Sequence, residues 1–547
     1  MQLTRPIRPE TAALCAAAFF VAVVNIAFWR QFYAIVAPRN AYELLFIATT
    51  VVVAFCLLAL LFGALSFPYL FKPALAALLL LTSAAAYFIN EYGIVIDEDM
   101  IRNVAETNRA ETADLITLKL VLYVLVLGAL PAVVLCTRTI AYRPFLGELW
   151  FKTKAAALIV AIVALAAFPF MQNITSVFRE HRILMHVFTP LNYLSAAAEY
   201  GKRQLRSRAT AVAPFGQDAH KAAVWAERKR RSLTILVIGE TARAPNFSLN
   251  GYGRETNPLL SKVPGLITYS KAYSCGTSTA QSLPCMFSGQ SRAGFINQRA
   301  APQEGLLHIL QRAGFSVLWR ENQGGCAGVC KGVPTDIIEG AGNRKLFELG
   351  DSHDENLLHG LQAKIDGMQG DAVVVLHMMG SHGPAYYKRY PQAFERFQPA
   401  CKDSQFSRCA RAEIVNSYDN TIVYTDYVLA RIIELLQASD SHDVPSAMIY
   451  VSDHGESLGE SNVYLHGLPY ALAPDVQKHV PLLMWLSPKL QADFRVDTAC
   501  LDRHRHEPVS HDNFFHSVLG LLDVGTRVYD RGLDIFARCR SISRNID

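Results

Sequence analysis

The chain has 547 residues, 51% of them hydrophobic and 18% charged, with a net charge of +5. That length exceeds one ordinary domain, so two or three folding units are expected. The small positive charge comes without a dense Lys/Arg stripe, so the composition gives no reason to expect a nucleic-acid partner.

In chain order, five apolar runs come first, at about 11–28, 44–65, 73–89, 118–136 and 155–171. Each meets or approaches the roughly 20 helical residues that cross a ~30 Å hydrocarbon core. Five in series, with short polar joints, read as membrane spans rather than buried core helices. The first run lacks a convincing small-residue cleavage site and more spans follow at once, so it does not read as a cleaved signal peptide. Arg5 and Arg8 precede it, and Arg138, Arg143, Lys152 and Lys154 crowd the joint between the fourth and fifth spans. The joint between the third and fourth is acidic, with Glu91, Asp97, Glu98, Asp99, Glu106, Glu111 and Asp114. Basic joints inside put the N-terminus in the cytoplasm, and an odd number of spans delivers the rest of the chain to the other side. Arg30 and Arg39 in the first outer joint are a mild exception. Residues 100–112 have helical apolar spacing, by pattern alone a solvated amphipathic helix.

Residues 173–231 mix aromatic and aliphatic side chains with bases, ending in Lys202, Arg203, Arg206 and Arg208 and then Glu227-Arg-Lys-Arg-Arg231. This reads as a connector lying on anionic headgroups, with a plain solvated linker as the alternative. At 232 the pattern changes. Ser232-Leu-Thr-Ile-Leu-Val-Ile-Gly239 is a near-continuous β-branched run stopped by glycine, which marks a central strand of a parallel sheet. Runs at 314–320, 371–377 and 447–452 look alike, and helical stretches at 303–312, 355–369 and 412–438 fall between them. The expected architecture is a five-span helical membrane domain over 1–172, a bridge over 173–231, and an α/β domain over 232–547 with a mainly parallel sheet. Ligands of such sheets sit beyond the C-terminal ends of the strands.

Of the eleven cysteines, Cys15, Cys56 and Cys136 lie in apolar segments, where a thiol is a small hydrophobe. Cys275/Cys285, Cys326/Cys330 and Cys401/Cys409 are closely spaced pairs, as expected of local disulfides in an oxidising compartment. That agrees with export of the C-terminal part. Cys326 and Cys330 have no second Cys/His pair of zinc-finger spacing. Cys500 and Cys539 have no local partner, and their state is left open.

Between Cys275 and Cys285 stand four hydroxyls, Thr277, Ser278, Thr279 and Ser282, ahead of the apolar Met286-Phe287. The plain reading is a capped helix beside a disulfide. A helix N-terminus also suits a phosphate. At the expected sheet edge stand Glu240, His377, His382, Asp453, His454 and His466, the oxygen and nitrogen donors that zinc takes. A hydroxyl attacks phosphorus near neutral pH only with help, and a metal ion lowers its pKa and offsets phosphoryl charge.

Gly239-Glu-Thr-Ala-Arg243, Cys275-Gly-Thr-Ser-Thr-Ala-Gln-Ser-Leu-Pro-Cys285, Gly380-Ser-His-Gly-Pro384, Ser452-Asp-His-Gly-Glu456 and Tyr464-Leu-His-Gly467 resemble motifs of the phosphoethanolamine–lipid A transferases. These include the mobile colistin-resistance enzymes. The resemblance implies an alkaline-phosphatase/sulfatase-like domain in which Thr279 is the nucleophile and carries the phosphoethanolamine. It implies one tightly bound Zn²⁺ on Glu240, Thr279, Asp453 and His454. By the same resemblance His382 and His466 bind substrate phosphate or a second zinc and assist proton transfer. Asn103, Glu111 and Thr112 fall where the family contacts its donor lipid. The implied donor is phosphatidylethanolamine and the implied acceptor lipid A, in a bacterial inner membrane, with cationic-peptide resistance as the outcome. A monomer is expected. The family often has Lys after the first cysteine of the short pair; here it is Ala327, so that a headgroup contact is either missing or taken over by Lys331. A further cysteine pair is missing over 342–354. The alternatives are transfer of phosphoethanolamine or phosphoglycerol to another envelope glycan, a sulfatase or phosphodiesterase using water, and a non-catalytic scaffold.

Overall fold

Apolar runs in a bilayer place their backbone polar groups into helix, because no water is present to bond them. The computed structural model describes residues 6–106, 112, 115–181, 183–208, 213–228, 230–298, 303–323, 325–338, 353–461 and 463–540. The chain divides into two units, Met1–Ile101 with Ile116–Glu199 and Arg102–Leu115 with Tyr200–Asp547.

The first unit is helical. Helices α1 (Pro9–Val24) and α2 (Ile26–Val36) are followed by α3 (Ala41–Leu65), α4 (Phe71–Tyr92), α5 (Glu98–Glu106, whose residues from Arg102 on are counted in the second unit), α6 (Leu118–Thr137) and α7 (Phe145–Phe170). Four of them, α3, α4, α6 and α7, are each long and apolar enough to cross a membrane, and α1 and α2 pass the same test together as a pair bent by 63°. The first span therefore does not end near 28 as its apolar run suggests. The chain bends at Asn25 and resumes as helix to Val36. Asn25 makes the bend tolerable in an apolar setting: its amide donates to Phe20 O (3.0 Å) and Thr189 O (2.8 Å), and its oxygen accepts from Thr189 N (2.8 Å). The fifth span also starts earlier than its apolar run, because helix extends back to Phe145 through Glu148, Lys152 and Lys154. Glu148 is buried and is approached by Arg143 (3.5 Å) and Lys152 (3.9 Å). Leu125, Val126, Val133, Leu158 and Leu165 are exposed, as lipid-facing side chains are.

The second unit is built on an eight-stranded sheet. Its strands are β1 (Leu233–Gly239), β2 (Ile267–Tyr273), β3 (Ser316–Glu321), β4 (Thr335–Ile337), β5 (Ala372–His377), β6 (Ser446–Ser452), β7 (His479–Leu486) and β8 (Val509–Ser510). The order across the sheet is β8-β2-β7-β6-β1-β5-β3-β4, and only β7 runs antiparallel to its neighbours. The central strands β1, β5 and β6 are buried at every position, which is why they read as unbroken apolar runs. Helix α8 (Thr279–Phe287) rests on α10 (His511–Leu521) through Phe287 and Phe514, whose rings meet edge to face at 5.3 Å. The long α9 (Arg411–Ser441) packs on β6.

Four disulfides lie in this unit. Cys275–Cys285, Cys326–Cys330 and Cys401–Cys409 pair as their spacing suggested. Cys500 and Cys539, left open by the sequence, form the fourth, 39 residues apart in the chain but with Cα atoms at 5.5 Å. Cys15, Cys56 and Cys136 are free thiols.

Candidate active site and metal centre

Two neighbouring strands end side by side, because Gly239 at the end of β1 is the register partner of Ser452 at the end of β6. The next residues, Glu240 and Asp453, therefore emerge together, and Asp453 N donates to Gly239 O at 2.9 Å. Both carboxylates are fully buried, as is His454. Each of the three offers a ligand atom, and these atoms lie within 4.8 Å of one another. Asp453 Oδ1 is used by the backbone, accepting from Thr241 N (3.1 Å) and His454 N (2.7 Å). Its Oδ2 is buried, has no hydrogen-bond donor among the described residues and lies 3.3 Å from His454 Nε2. His454 Nδ1 lies 2.9 Å from Gly455 O, to which it donates, so Nε2 carries the lone pair and faces the carboxylates. Burial lowers the His454 pKa to about 4. A buried acceptor with no donor, a second buried carboxylate and an imidazole lone pair converging on one point fit a divalent cation of the zinc type.

Thr279 completes the cluster. It is the first residue of α8, and its hydroxyl donates to Glu240 Oε2 at 3.0 Å and lies 3.4 Å from His454 Nε2. The plain helix-cap reading fails here. Ser278 occupies the N-cap with extended backbone, but its side chain makes no capping bond. Thr277 and Ser282 do serve the turn: Thr277 Oγ1 donates to Leu468 O (2.6 Å), and Ser282 Oγ accepts from Gly276 N (2.9 Å).

His382 and His466 form a second group that shares Glu240, again with ligand atoms within 4.8 Å. The His466 ring lies 4.3 Å from that of His454 and 5.6 Å from that of His382. Burial, reinforced by the neighbouring His466, holds His382 well below the ordinary imidazole range. His466 Nδ1 sits 3.3 Å from Glu456 Oε1, a buried carboxylate whose pKa burial raises against the pull of His466. Gly380 permits the close approach of this loop: its φ is +53°, and a Cβ there would stand 2.6 Å from Glu240 O.

Several supports escaped the sequence reading. Thr241 has φ +52°, unusual for a β-branched residue, and follows directly on Glu240. Tyr418 on α9 braces it, donating its hydroxyl to Thr241 O (2.7 Å) and accepting from Arg243 N (3.0 Å). Asp354 accepts from Met379 N (2.7 Å) and Gly380 N (2.9 Å) and so holds the His382 loop. His377, a strand-end candidate, does not join the cluster. It pairs with Glu321 (2.9 Å), whose charge and hydrogen bonds outweigh burial and leave the His377 pKa raised. Asn103 lies on α5 and Thr112 is exposed, while Glu111 lies outside the described residues. Lys331 is exposed beside the Cys326–Cys330 disulfide, with its backbone N–H on Gly328 O (3.3 Å).

Residues 232–524 match the sulfatase family, and residues 54–205 match the family described as phosphoethanolamine transferase EptA/EptB. The phosphoethanolamine transferase EptA of Escherichia coli K12 is 40% identical over 546 residues, covering 99% of both chains. The chain belongs to the EptA/EptB phosphoethanolamine transferase family. Phosphatidylethanolamine transferase Mcr-1 of Escherichia coli is 34% identical to this family member, covering 96% of this chain and 97% of its own. The integral membrane lipooligosaccharide phosphoethanolamine transferase A of Neisseria meningitidis superimposes with a TM-score of 0.93 at 34% identity, covering 98% of this transferase and all of its own chain.

Proposed function

We propose that the protein moves phosphoethanolamine from phosphatidylethanolamine to a phosphate of lipid A through a covalent intermediate on Thr279. The observation that carries this reading is the Thr279 hydroxyl, 3.0 Å from Glu240 and 3.4 Å from His454, at the end of a sheet in a phosphoethanolamine transferase chain. Glu240, Thr279, Asp453 and His454 would hold one tightly bound zinc ion. Bound there, zinc lowers the pKa of a hydroxyl and offsets phosphoryl charge.

In the first half, the Thr279 Oγ1–P bond forms as the P–O bond to diacylglycerol breaks, and the hydroxyl proton ends on the diacylglycerol oxygen. In the second, an oxygen of the acceptor phosphate attacks the phosphothreonine, the Oγ1–P bond breaks, and Thr279 regains a proton. His382, held neutral at neutral pH by burial, would assist proton transfer. With His466 it would bind the substrate phosphate, and as a pair they could instead take a second zinc. Asn103, Glu111 and Thr112 are assigned to the donor lipid and Lys331 to its headgroup. Both substrates are lipids, which suits a monomer anchored in the inner membrane, N-terminus cytoplasmic, with residues 1–172 spanning it, 173–231 bridging and 232–547 catalytic in the periplasm. Added amines reduce the negative charge of the envelope, which weakens polymyxin-type peptide binding.

The test is mass spectrometry of lipid A from cells expressing wild type or Thr279→Ala. Phosphoethanolamine-modified lipid A with the first and none with the second is expected. Unmodified lipid A beside a modified core sugar would overturn the acceptor assignment, and free phosphoethanolamine without a modified lipid would indicate hydrolysis.

A further inference from the structure

Outside the ligand set, one buried imidazole is bonded at both nitrogens to the two loops that must meet for reaction. His511 is the first residue of α10. Its Nδ1 accepts from Cys275 N (3.1 Å), and its Nε2 donates to Ser452 O (2.9 Å). Cys275 opens the turn that leads to Thr279, and Ser452 immediately precedes Asp453 and His454. The same Ser452 accepts at Oγ from Ala242 N (2.8 Å) and donates to His454 O (3.0 Å), so it also ties in the loop carrying Glu240.

We propose that His511 is a positioning residue for the transfer, a neutral crosspiece that fixes the Thr279 turn against the loops carrying the metal ligands. The proposal rests on the reading of Thr279 as nucleophile. The Cys275–Cys285 disulfide links that turn only to its own helix, α8. Its attachment to α10 is by hydrogen bonds on both faces of Cys275: the N–H goes to His511, and the C=O accepts from Arg292 Nε (3.0 Å), whose backbone N–H donates to Asp512 (2.8 Å). An imidazole suits the place because one ring accepts on one side and donates on the other. Protonation would remove the acceptor, and burial, lowering the pKa to about 4, keeps both bonds intact at neutral pH. Hydrogen-bonding partners one step behind a reactive centre commonly change its performance by about 10- to 100-fold.

The experiment mixes full-length wild type, His511→Gln, His511→Asn and Thr279→Ala in detergent with phosphatidylethanolamine alone, and follows the phosphoethanolamine adduct by intact-mass spectrometry. Adduct amplitude counts competent molecules, whereas the rate constant reports alignment, so a partly unfolded preparation still separates the two. His511→Gln retains a donor for Ser452 O and loses the Cys275 acceptor; His511→Asn does the reverse. Both are expected to form the adduct with a rate constant about 10- to 100-fold below wild type, at wild-type zinc content per folded molecule. A rate constant within about two-fold of wild type, with only amplitude reduced, overturns the proposal and leaves His511 a structural histidine. Absence of adduct in wild type, or its persistence in Thr279→Ala, overturns the nucleophile reading first and this proposal with it.

Discussion

Replacing Gly380 by alanine separates backbone conformation from crowding of the Glu240 loop. Gly380 has φ +53°, and a Cβ there would lie 2.6 Å from Glu240 O and 2.9 Å from Glu240 N. Ordinary contact begins near 3.4 Å, so close-packed backbone would have to yield by about 0.8 Å. The left-handed conformation alone costs a residue with Cβ roughly 1–2 kcal/mol, and an overpacked site adds about 1–3 kcal/mol. Gly370 supplies the control: its φ is +66°, with nothing within 4 Å of the built Cβ. Gly370→Ala should therefore lose only the conformational part, roughly 1–2 kcal/mol, and keep full activity. Gly380→Ala should lose about 2–5 kcal/mol and, by moving Glu240, depress turnover about 100-fold. Denaturant melts of the purified full chain and a phosphatidylethanolamine turnover assay measure the two quantities. Equal stability losses in both variants, with turnover intact in Gly380→Ala, would falsify the steric argument.

Asp453→Asn should weaken zinc binding at least about ten-fold, read as metal content of the purified protein after dialysis against a chelator; full retention would remove Asp453 from the ligand set. Tyr418→Phe should leave the fold standing but lose roughly 1–3 kcal/mol, because Thr241 O and Arg243 N lose their partner; an unchanged melting midpoint would contradict the brace. Asp426, buried against the Leu259 and Leu260 N–H groups, has its pKa raised by burial from 3.8 to about 7. The folded state then binds the proton more tightly than the unfolded one. This contribution is full below 3.8 and lost as pH rises through about 7. The loss is on the order of 4 kcal/mol, and Asp426→Asn should flatten that part of the stability–pH curve between pH 4 and 8; an unchanged slope would sink the assignment. Removing Cys500–Cys539, with its separation of 39, should cost about 4 kcal/mol on loop-closure entropy, and removing Cys326–Cys330, with a separation of 4, only about 2. The reverse ranking would count against a loop-entropy origin.

Much of the architecture was legible because its elements carry strong periodic signals. The near-continuous apolar runs of β1, β5 and β6 read as strands covered on both faces, and they fall within one or two residues of the expected ranges. Strand β7 was missed because Pro481 interrupts its apolar run; in the fold that proline sits where the register with β2 shifts, between Val480 and Leu482. The helical course of 29–36 was hidden because polar residues after an apolar run look like a joint, whereas Asn25 bends the helix and lets it continue. In the site, Glu240, Asp453 and His454 were visible because they follow strand ends within glycine-flanked motifs. His511 and Tyr418 were not, since a lone histidine opening a helix and a tyrosine within one carry no pattern that separates them from ordinary packing. The capping box at Ser510 and Asn513 is the one local signal, and it marks the start of the helix rather than the task of the residue after it.

The register of Gly239 against Ser452 limits how the candidate metal centre can vary. Glu240 and Asp453 are each one residue past paired positions on adjacent parallel strands, so the gap between their backbones is the inter-strand spacing itself, roughly 4.8 Å. The hydrogen-bond ladder acts as a gauge for the site, and side-chain repacking nearby has little leverage over it. Inserting or deleting a single residue in β1 or β6 would turn its carboxylate to the opposite face of the sheet. The frame between those two strands admits no intermediate setting.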